Sequence, residues 1–226
     1  MRILHVADLH FQKKHFHWLT EAAPRAAVVC VSGDFLDLGA KTPILRQVKW
    51  VRERLSEFPR TLVYCSGNHD YLPNLGIPDG SGETRWLESI QNPNVHGDGS
   101  IVSLNGTTFM TRGWMDPAPR LPSVSTIILS HEGPAQLNVA IDRHGDWGDY
   151  GLLEELRLST MQNIVLSGHV HEPSSWYSRV GRSWAFNPGW SLRAEYPNHV
   201  LLDLVRRTAT RIAEGEQETV WLDRSG

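Results

Sequence analysis

The sequence predicts an α/β protein in which helices are layered on mixed β-sheet. Short apolar runs alternate with helical patterns, an Asn-Gly pair separates two strand-like segments, and further strand-like runs follow near the end of the chain. With 226 residues, of which 40% are hydrophobic and 21% charged, the composition is that of a globular protein with one core. We therefore expect a single domain over residues 1–226.

Five short runs rich in Val, Ile and Leu predict strands that are buried on both faces. Each run is followed by polar residues, and the runs lie at residues 3–7, 26–31, 62–65, 126–129 and 163–166. Helical patterns between these strands favour parallel pairing, because a parallel connection needs a crossover segment.

One helix is strongly indicated between the second and third strands. Thr42 and Pro43 predict an N-cap followed by proline at the first helical position. Apolar residues then recur at helical spacing, at Ile44, Val48, Val51 and Leu55. Weaker helical patterns cover residues 18–23 and 148–158.

Two hairpins are predicted, and they make the sheet mixed. The Asn-Gly pair at 105–106 separates strand-like segments at 100–104 and 107–111, and a second turn is expected at Gly181 and Arg182. Near the end, strand-like runs at 199–205 and 219–222 flank an ambiguous Arg-rich stretch. The turn-rich segment 72–83 is a candidate surface loop.

Charge, cysteine content and the length of apolar runs argue against several classes of protein. The formal net charge of −3 offers no large basic field for binding a nucleic-acid backbone. Cys30 and Cys65 are too few for a disulfide framework. No apolar run approaches the roughly 18 residues of a membrane span. We expect a soluble, cytoplasmic protein without a membrane partner.

Polar clusters follow all five predicted buried strands. They are Asp8-Leu9-His10, Gly33-Asp34-Phe35-Leu36-Asp37, Gly67-Asn68-His69-Asp70, Ser130-His131-Glu132-Gly133 and Gly168-His169-Val170-His171. Ligands bind at the carboxyl ends of strands in open α/β sheets, so these clusters can converge. Carboxylate, imidazole and amide oxygen suit Mn, Fe, Zn, Co or Ni better than Mg or Ca. The ligands exceed the needs of one tetrahedral ion, and a bridging carboxylate would explain a pair.

The order D-x-H, GDxxD, GNHD, H and GHxH is similar to that of the calcineurin-like metallophosphoesterases, and the chain resembles their small bacterial type over residues 2–189. The resemblance implies a four-layer α/β/β/α sandwich with mixed central sheets. It also implies two divalent metal ions, with Mn²⁺ favoured. The implied ligands are Asp8, His10 and His171 for one ion, Asn68, His131 and His169 for the other, and Asp34 as the bridge between them.

The resemblance implies hydrolysis of phosphate esters by a hydroxide that bridges the metals. Two divalent ions, less the charges of Asp8, Asp34 and the hydroxide, leave one positive charge to attract the ester. His69 would lie beside the metals without binding them and would protonate the leaving alkoxide. Asp37 and Asp70 are interpreted as residues that orient loops or imidazoles.

The substrate class stays open between several alternatives. A nucleotide or other small phosphodiester or phosphomonoester ranks first, and a DNA nuclease of the Mre11-like type ranks second, so nucleic acid is the less favoured partner. A non-catalytic scaffold protein of the same fold is the alternative from another class. Trp114, Trp147 and Trp190 either stack on a nucleobase or aryl group or simply pack their loops.

Overall fold

The computed structural model describes residues 1–72 and 86–222. Its helices are α1 (Lys13–Ala22), α2 (Ile44–Ser56) and α3 (Tyr150–Leu158). Its strands are β1 (Arg2–Ala7), β2 (Val28–Ser32), β3 (Leu62–Cys65), β4 (Val95–His96), β5 (Ile101–Leu104), β6 (Thr107–Arg112), β7 (Thr126–Ser130), β8 (Ile141–Asp142), β9 (Gly145–Asp146), β10 (Ile164–Leu166), β11 (Tyr177–Val180), β12 (Ser183–Phe186), β13 (His199–Asp203), β14 (Thr208–Ala213) and β15 (Glu216–Trp221). Apart from Leu72, the candidate loop at 72–83 lies outside the described residues.

Two large mixed sheets form the centre of the molecule, as the family resemblance implies. The first has the strand order β15-β14-β13-β1-β2-β3-β4, and the second has the order β11-β12-β10-β7-β6-β5. Pairing is parallel from β1 to β4 and antiparallel from β1 to β15. In the second sheet β12, β10, β7 and β6 are parallel, and β11 and β5 are antiparallel edges.

Alternating side chains divide the core into three layers of packing. On β1, Leu4 and Val6 join the cluster beneath α1 and α2, whereas Ile3 joins the cluster between the two sheets. On β7, Leu129 belongs to the cluster between the sheets and Ile128 packs beneath α3. The order of layers is therefore helices, sheet, sheet, helix, which confirms the four-layer α/β/β/α sandwich.

Both predicted hairpins are confirmed. Leu104 pairs with Thr107, and Asn105 and Gly106 between them have φ angles of 51° and 76°. Positive φ at both central residues is the requirement of a type I′ turn, which Asn-Gly meets at low cost. The second hairpin joins β11 to β12 through Gly181 and Arg182.

The helix boundaries differ from the predicted ones. Helix α1 begins five residues before the predicted start, because its buried face includes His15 and Phe16. Helix α2 begins at Ile44, so Pro43 occupies the N-cap position and no side chain caps the helix. Helix α3 begins two residues late, after Asp149, whose carboxylate accepts a hydrogen bond from the N–H of Leu152 at 2.6 Å.

The ambiguous Arg-rich stretch is resolved into a turn and strand β14. The carboxylate of Asp203 accepts hydrogen bonds from the N–H groups of Val205 and Arg206, which closes the turn. Among the described residues, no helix is long and apolar enough to cross a membrane.

Candidate metal centre

The five polar clusters meet where central strands of both sheets end. Strands β1, β2 and β3 deliver the first three clusters, and β7 and β10 of the facing sheet deliver the other two. His10 and His171, for example, are 161 positions apart in the chain, and their Nε2 atoms lie 2.9 Å apart. The structure therefore brings together the side chains that the sequence grouped.

The backbone turns sharply at several of these positions. The φ angles of Asp8, His10, Asp34 and His169 are 54°, 40°, 56° and 68°. Positive φ costs a non-glycine residue about 1–3 kcal/mol and persists only where the surroundings impose it. Here the turned backbone directs the polar side chains inward at the strand ends.

The first group of candidate ligands consists of Asp8, His10 and His171, whose ligand atoms all lie within 4.8 Å of one another. Asp8 is fully buried and its Oδ1 lies 4.0 Å from Nε2 of His171. Its Oδ2 is also buried and has no hydrogen-bond partner among the described residues. A buried carboxylate oxygen without a partner is costly, and two imidazole nitrogens beside it complete a donor set that suits a divalent cation.

The second group is centred on the amide oxygen of Asn68. This oxygen lies 3.0 Å from Nε2 of His131 and 3.0 Å from Nδ1 of His169. The other nitrogen of His131, Nδ1, donates a hydrogen bond to the carbonyl of Ser32 at 2.8 Å. A backbone carbonyl that accepts from the far nitrogen is one of the usual ways in which a protein orients a metal-binding imidazole.

Asp34 lies between the two groups. Its Oδ2 is 3.7 Å from Nε2 of His10, and its Oδ1 is 3.4 Å from Nε2 of His131. The Asp34 side chain is 2% exposed, and Oδ1 also accepts a hydrogen bond from the N–H of His69 at 2.9 Å. One carboxylate thus reaches both groups with different oxygens, which is the geometry of a bridging ligand.

Burial and the attraction between carboxylates and imidazoles determine the pKa values of the side chains in the site. Burial alone would lower the pKa of His131, but the carboxylates of Asp34 and Asp8 outweigh it and raise that pKa to about 10. Burial would raise the pKa of Asp34, yet the surrounding histidines hold it below its usual range. Burial raises the pKa of Asp8 to about 7 and lowers those of His10 and His169 to about 4. Neutral imidazoles at His10 and His169 are ready to act as ligands.

His69 lies next to the first group. Its ring centroid is 4.7 Å from that of His10, and its Nδ1 faces the N–H of Leu38 at 3.4 Å. A ligand atom of His69 also lies within 4.8 Å of those of His10 and Asp34. The structure thus places the imidazole of His69 beside the candidate ligands, close enough to contact a group bound by them.

Asp70 joins two of the loops that carry the site. Its Oδ1 accepts hydrogen bonds from the N–H groups of Phe35 and Leu36, at 3.0 and 3.1 Å, and its Oδ2 accepts one from the N–H of Gly67 at 2.9 Å. Burial and the nearby charge of Asp34 raise the pKa of Asp70, while the backbone donors oppose that rise. Asp70 therefore sets the spacing between the loop after β2 and the loop after β3.

Asp37 acts more locally. Its carboxylate accepts from the N–H of Gly39 at 2.8 Å, and its own N–H donates to the side chain of Gln47 at 2.9 Å. These contacts fasten the loop after β2 to helix α2, so Asp37 orients a loop, one of the two roles that the sequence suggested.

Sequence reasoning missed a structural role for Asn187. Its side-chain nitrogen lies within 3.0 Å of the carbonyls of Val139, Gly168 and Val170, and its amide oxygen accepts from the N–H of Gly189 at 2.8 Å. Asn187 therefore clamps the loop that carries His169 and His171. The Asn-Pro-Gly segment was visible in the sequence, but nothing local showed which carbonyls it would reach.

Three tryptophans surround the candidate ligands. The ring of Trp114 lies 5.6 Å from that of His169, and the ring of Trp190 lies 4.6 Å from that of His171. Trp147 lies 6.5 Å from His169 and is 49% exposed. Trp114 and Trp190 therefore pack against the candidate ligands, and Trp147 is the most exposed of the three.

The fold of this chain is similar to those of several solved structures. Among solved structures, the chain is similar to TT1561 of Thermus thermophilus, at 14% identity and a TM-score of 0.58, over 98% of this chain and 99% of that chain. It is similar to Yfce, a phosphoesterase from E. coli, at 16% identity and a TM-score of 0.52, over 99% and 100%. It is also similar to the purple acid phosphatase PPD1 of yellow lupin, at 11% identity and a TM-score of 0.60, over 97% of this chain and 53% of that chain. At these identities the likeness shows the fold.

The family follows from the sequence itself. A search among curated proteins gave no significant match. The sequence profile of the calcineurin-like phosphoesterases matches residues 1–173, a range that contains all five polar clusters. The resemblance noted in the sequence is thereby confirmed, and the chain belongs to the calcineurin-like phosphoesterase family.

Proposed function

We propose that this protein hydrolyses phosphate esters with two divalent metal ions. Asp8, His10 and His171 would hold one ion, Asn68, His131 and His169 would hold the other, and Asp34 would bridge them. The observation that carries the proposal is the position of Asp34 between two groups of converging donors, one of which includes a buried Asp8 oxygen without a hydrogen-bond partner among the described residues.

The donor set decides which metals fit. Its many imidazoles favour Mn²⁺, Fe, Zn, Co or Ni, and we place Mn²⁺ first. When bound, such ions would supply positive charge for the phosphate oxygens and lower the pKa of the attacking water. Asp70 and Asn187 support the site by holding the loops that carry the ligands in register.

His69 is proposed to donate the proton that the leaving oxygen needs. Its backbone N–H donates to Asp34, which fixes the residue against the proposed bridge, and its ring lies beside that of His10. A positioned general acid commonly contributes about 100-fold to 10,000-fold to the rate. The contribution is larger for a poor leaving group, which leaves as an alkoxide unless it is protonated.

A small-molecule or nucleotide ester remains the proposed substrate, and single-stranded or duplex DNA is the second candidate. We also propose a single domain over the whole chain and a cytoplasmic location. The location rests on the two cysteines, Cys30 and Cys65, which are both buried free thiols.

Activity assays test the proposal directly. Purified protein with Mn²⁺ should hydrolyse bis(4-nitrophenyl) phosphate or 4-nitrophenyl phosphate, and EDTA should abolish the activity. Asp34→Ala should be inactive. His69→Ala should keep its metal but lose about 100-fold or more in kcat on an alkyl ester, with a smaller loss on a nitrophenyl ester.

His17→Ala is the matched control, since His17 lies exposed on helix α1, and it should behave as wild type. Unchanged activity in both Asp34→Ala and His69→Ala would overturn the assignment. A wild-type protein that binds two metals and hydrolyses none of these esters would favour the scaffold alternative.

A further inference from the structure

A cavity of about 600 Å³ opens beside the candidate metal centre. Two of the candidate ligands, His169 and His171, form part of its wall, so a molecule in the cavity reaches the site directly. Its volume lies within the range of about 300–1,000 Å³ that is usual for small-molecule sites. Most of the remaining wall comes from the β8–β9 hairpin with Trp147 after it and from residues 190–193, and Val170, Glu172 and Glu214 complete it.

Trp147 follows the hairpin and presents an open aromatic face to this cavity. Its indole N–H donates a hydrogen bond to Asp142 Oδ1 at 3.0 Å. The same oxygen accepts from the N–H groups of His144 and Gly145, at 2.7 and 3.1 Å. The backbone N–H of Trp147 donates to the carbonyl of Ala140 at 2.9 Å. Although 49% exposed, the indole is therefore held in one place.

A fixed and exposed indole is suited to stacking. Exposed aromatic surface costs free energy in water, and a ring that is already oriented loses little entropy when a second ring covers it. Trp190 and the 51% exposed side chain of Leu192 also line the cavity and add to its apolar surface. Trp114 does not line this cavity, so it belongs to the packing of the metal-site loops.

The wall of the cavity carries charges of both signs, two guanidinium groups and three carboxylates. Arg143 and Arg193 are exposed there, and Arg193 has no ion pair in the part of the chain that the structure describes. Asp142 is already engaged by Trp147, and Glu214 accepts a hydrogen bond from the hydroxyl of Ser191 at 2.7 Å. Glu172 is the other carboxylate on the wall. The guanidinium groups of Arg143 and Arg193 can pair with a phosphate, but the three carboxylates leave the wall without net positive charge, so the choice of ligand rests on the indole of Trp147.

We infer that this cavity binds the non-reacting part of the substrate, and that this part is the heteroaromatic base of a nucleotide, stacked on Trp147. The inference rests on the proposed phosphoesterase function and narrows its substrate class. Trp147 is thus a specificity-determining residue, which acts on binding of the base rather than on the chemical step.

Calorimetric titration of the Mn²⁺-loaded protein tests the inference with two probes, adenosine 5′-monophosphate and ribose 5-phosphate. Both carry the same phosphate and sugar, and only the first carries a base. Stacking of a base strengthens binding about fivefold to 150-fold, so wild type should bind the first probe at least about fivefold more tightly. Trp147→Ala should lose this preference, and Trp147→Phe should keep most of it.

Trp221→Ala is the matched control, because Trp221 is 65% exposed on the distant edge strand β15, and it should retain the full preference. Equal binding of both probes by wild type would overturn the inference, as would a preference that survives in Trp147→Ala. Hydrolysis of bis(4-nitrophenyl) phosphate by the same samples separates the two proposals. If wild type hydrolyses this ester but binds both probes equally, only the base site is refuted. If wild type does not hydrolyse the ester, the phosphoesterase function is refuted, and the proposed role of the cavity in substrate binding is refuted with it.

Discussion

Protonation of His5 should destabilise this protein in acid. His5 lies on β1 without exposed surface, and its Nε2 lies 3.0 Å from the hydroxyl of Ser32. That hydroxyl donates to the carbonyl of Leu166 in the other sheet, so it accepts the proton of Nε2. The remaining nitrogen, Nδ1, is buried and has no partner among the described residues. A second proton on this ring would be a charge inside the sandwich.

The magnitude follows from the pKa of this imidazole. Burial lowers the pKa of His5 from 6.5 to about 3. Between these values the unfolded chain binds more protons than the folded one, so the free energy of unfolding falls as the pH drops below 6.5 and levels off near pH 3. At about pH 4.5, about two units below the pKa of 6.5 in the unfolded chain, protonation of the unfolded state lowers the free energy of unfolding by ~2.7 kcal/mol.

His5→Phe isolates this contribution. The variant keeps an aromatic ring and leaves the Ser32 hydroxyl bonded to Leu166, and it has nothing to protonate at this position. We measure the free energy of unfolding of the metal-free protein in urea. Between about pH 8 and pH 4.5 it should fall by about 2–3 kcal/mol less in the variant than in wild type. His17→Phe, on the exposed surface of α1, should follow wild type. Equal acid losses in wild type and His5→Phe would refute the reasoning.

Three further substitutions test the supports of the site. Asn187→Ala removes the clamp on the loop of His169 and His171, so the free energy of unfolding measured in urea should fall by about 2–3 kcal/mol, and kcat should fall as well. Asp70→Ala leaves three backbone N–H groups without their acceptor, and Mn²⁺ affinity measured by calorimetry should fall about tenfold or more. Arg112→Met leaves the carboxylate of Asp149 without the guanidinium group that contacts it at 2.6 Å. The free energy of unfolding, measured by thermal denaturation, should fall by about 3 kcal/mol.

Each of these expectations has a contradicting outcome. Asn138→Ala, an exposed asparagine, is the control for Asn187→Ala, and equal stability of the two variants would show that the clamp contributes nothing. Wild-type metal affinity in Asp70→Ala would mean that the loops hold their spacing without this carboxylate. An unchanged melting temperature in Arg112→Met would show that the buried ion pair is offset by its own desolvation.

Much of the fold and the grouping of the site residues could be predicted because they follow from local patterns. The Asn105-Gly106 turn meets a requirement for positive φ that few other pairs satisfy. The polar clusters converge because parallel strands end at the same edge, so strand position alone places Asp8 near Asp34.

The rest depends on contacts between distant segments. The contacts of Asn187 with Val139 and Gly168 exist only once the second sheet is assembled. The start of α1 was missed because its buried face begins with His15, a polar residue that the tertiary structure covers and whose Nε2 reaches the carbonyl of Ala194 only through folding. Without a side-chain N-cap, no local signal marked that start.

Metal stoichiometry tests the central claim most directly. Protein reconstituted with Mn²⁺ and freed of excess metal should contain two ions per chain by elemental analysis, and Asp34→Ala should retain fewer than two because both groups lose a shared ligand. A wild-type stoichiometry of one or none, or an Asp34→Ala variant that holds two ions as tightly as wild type, would contradict the account.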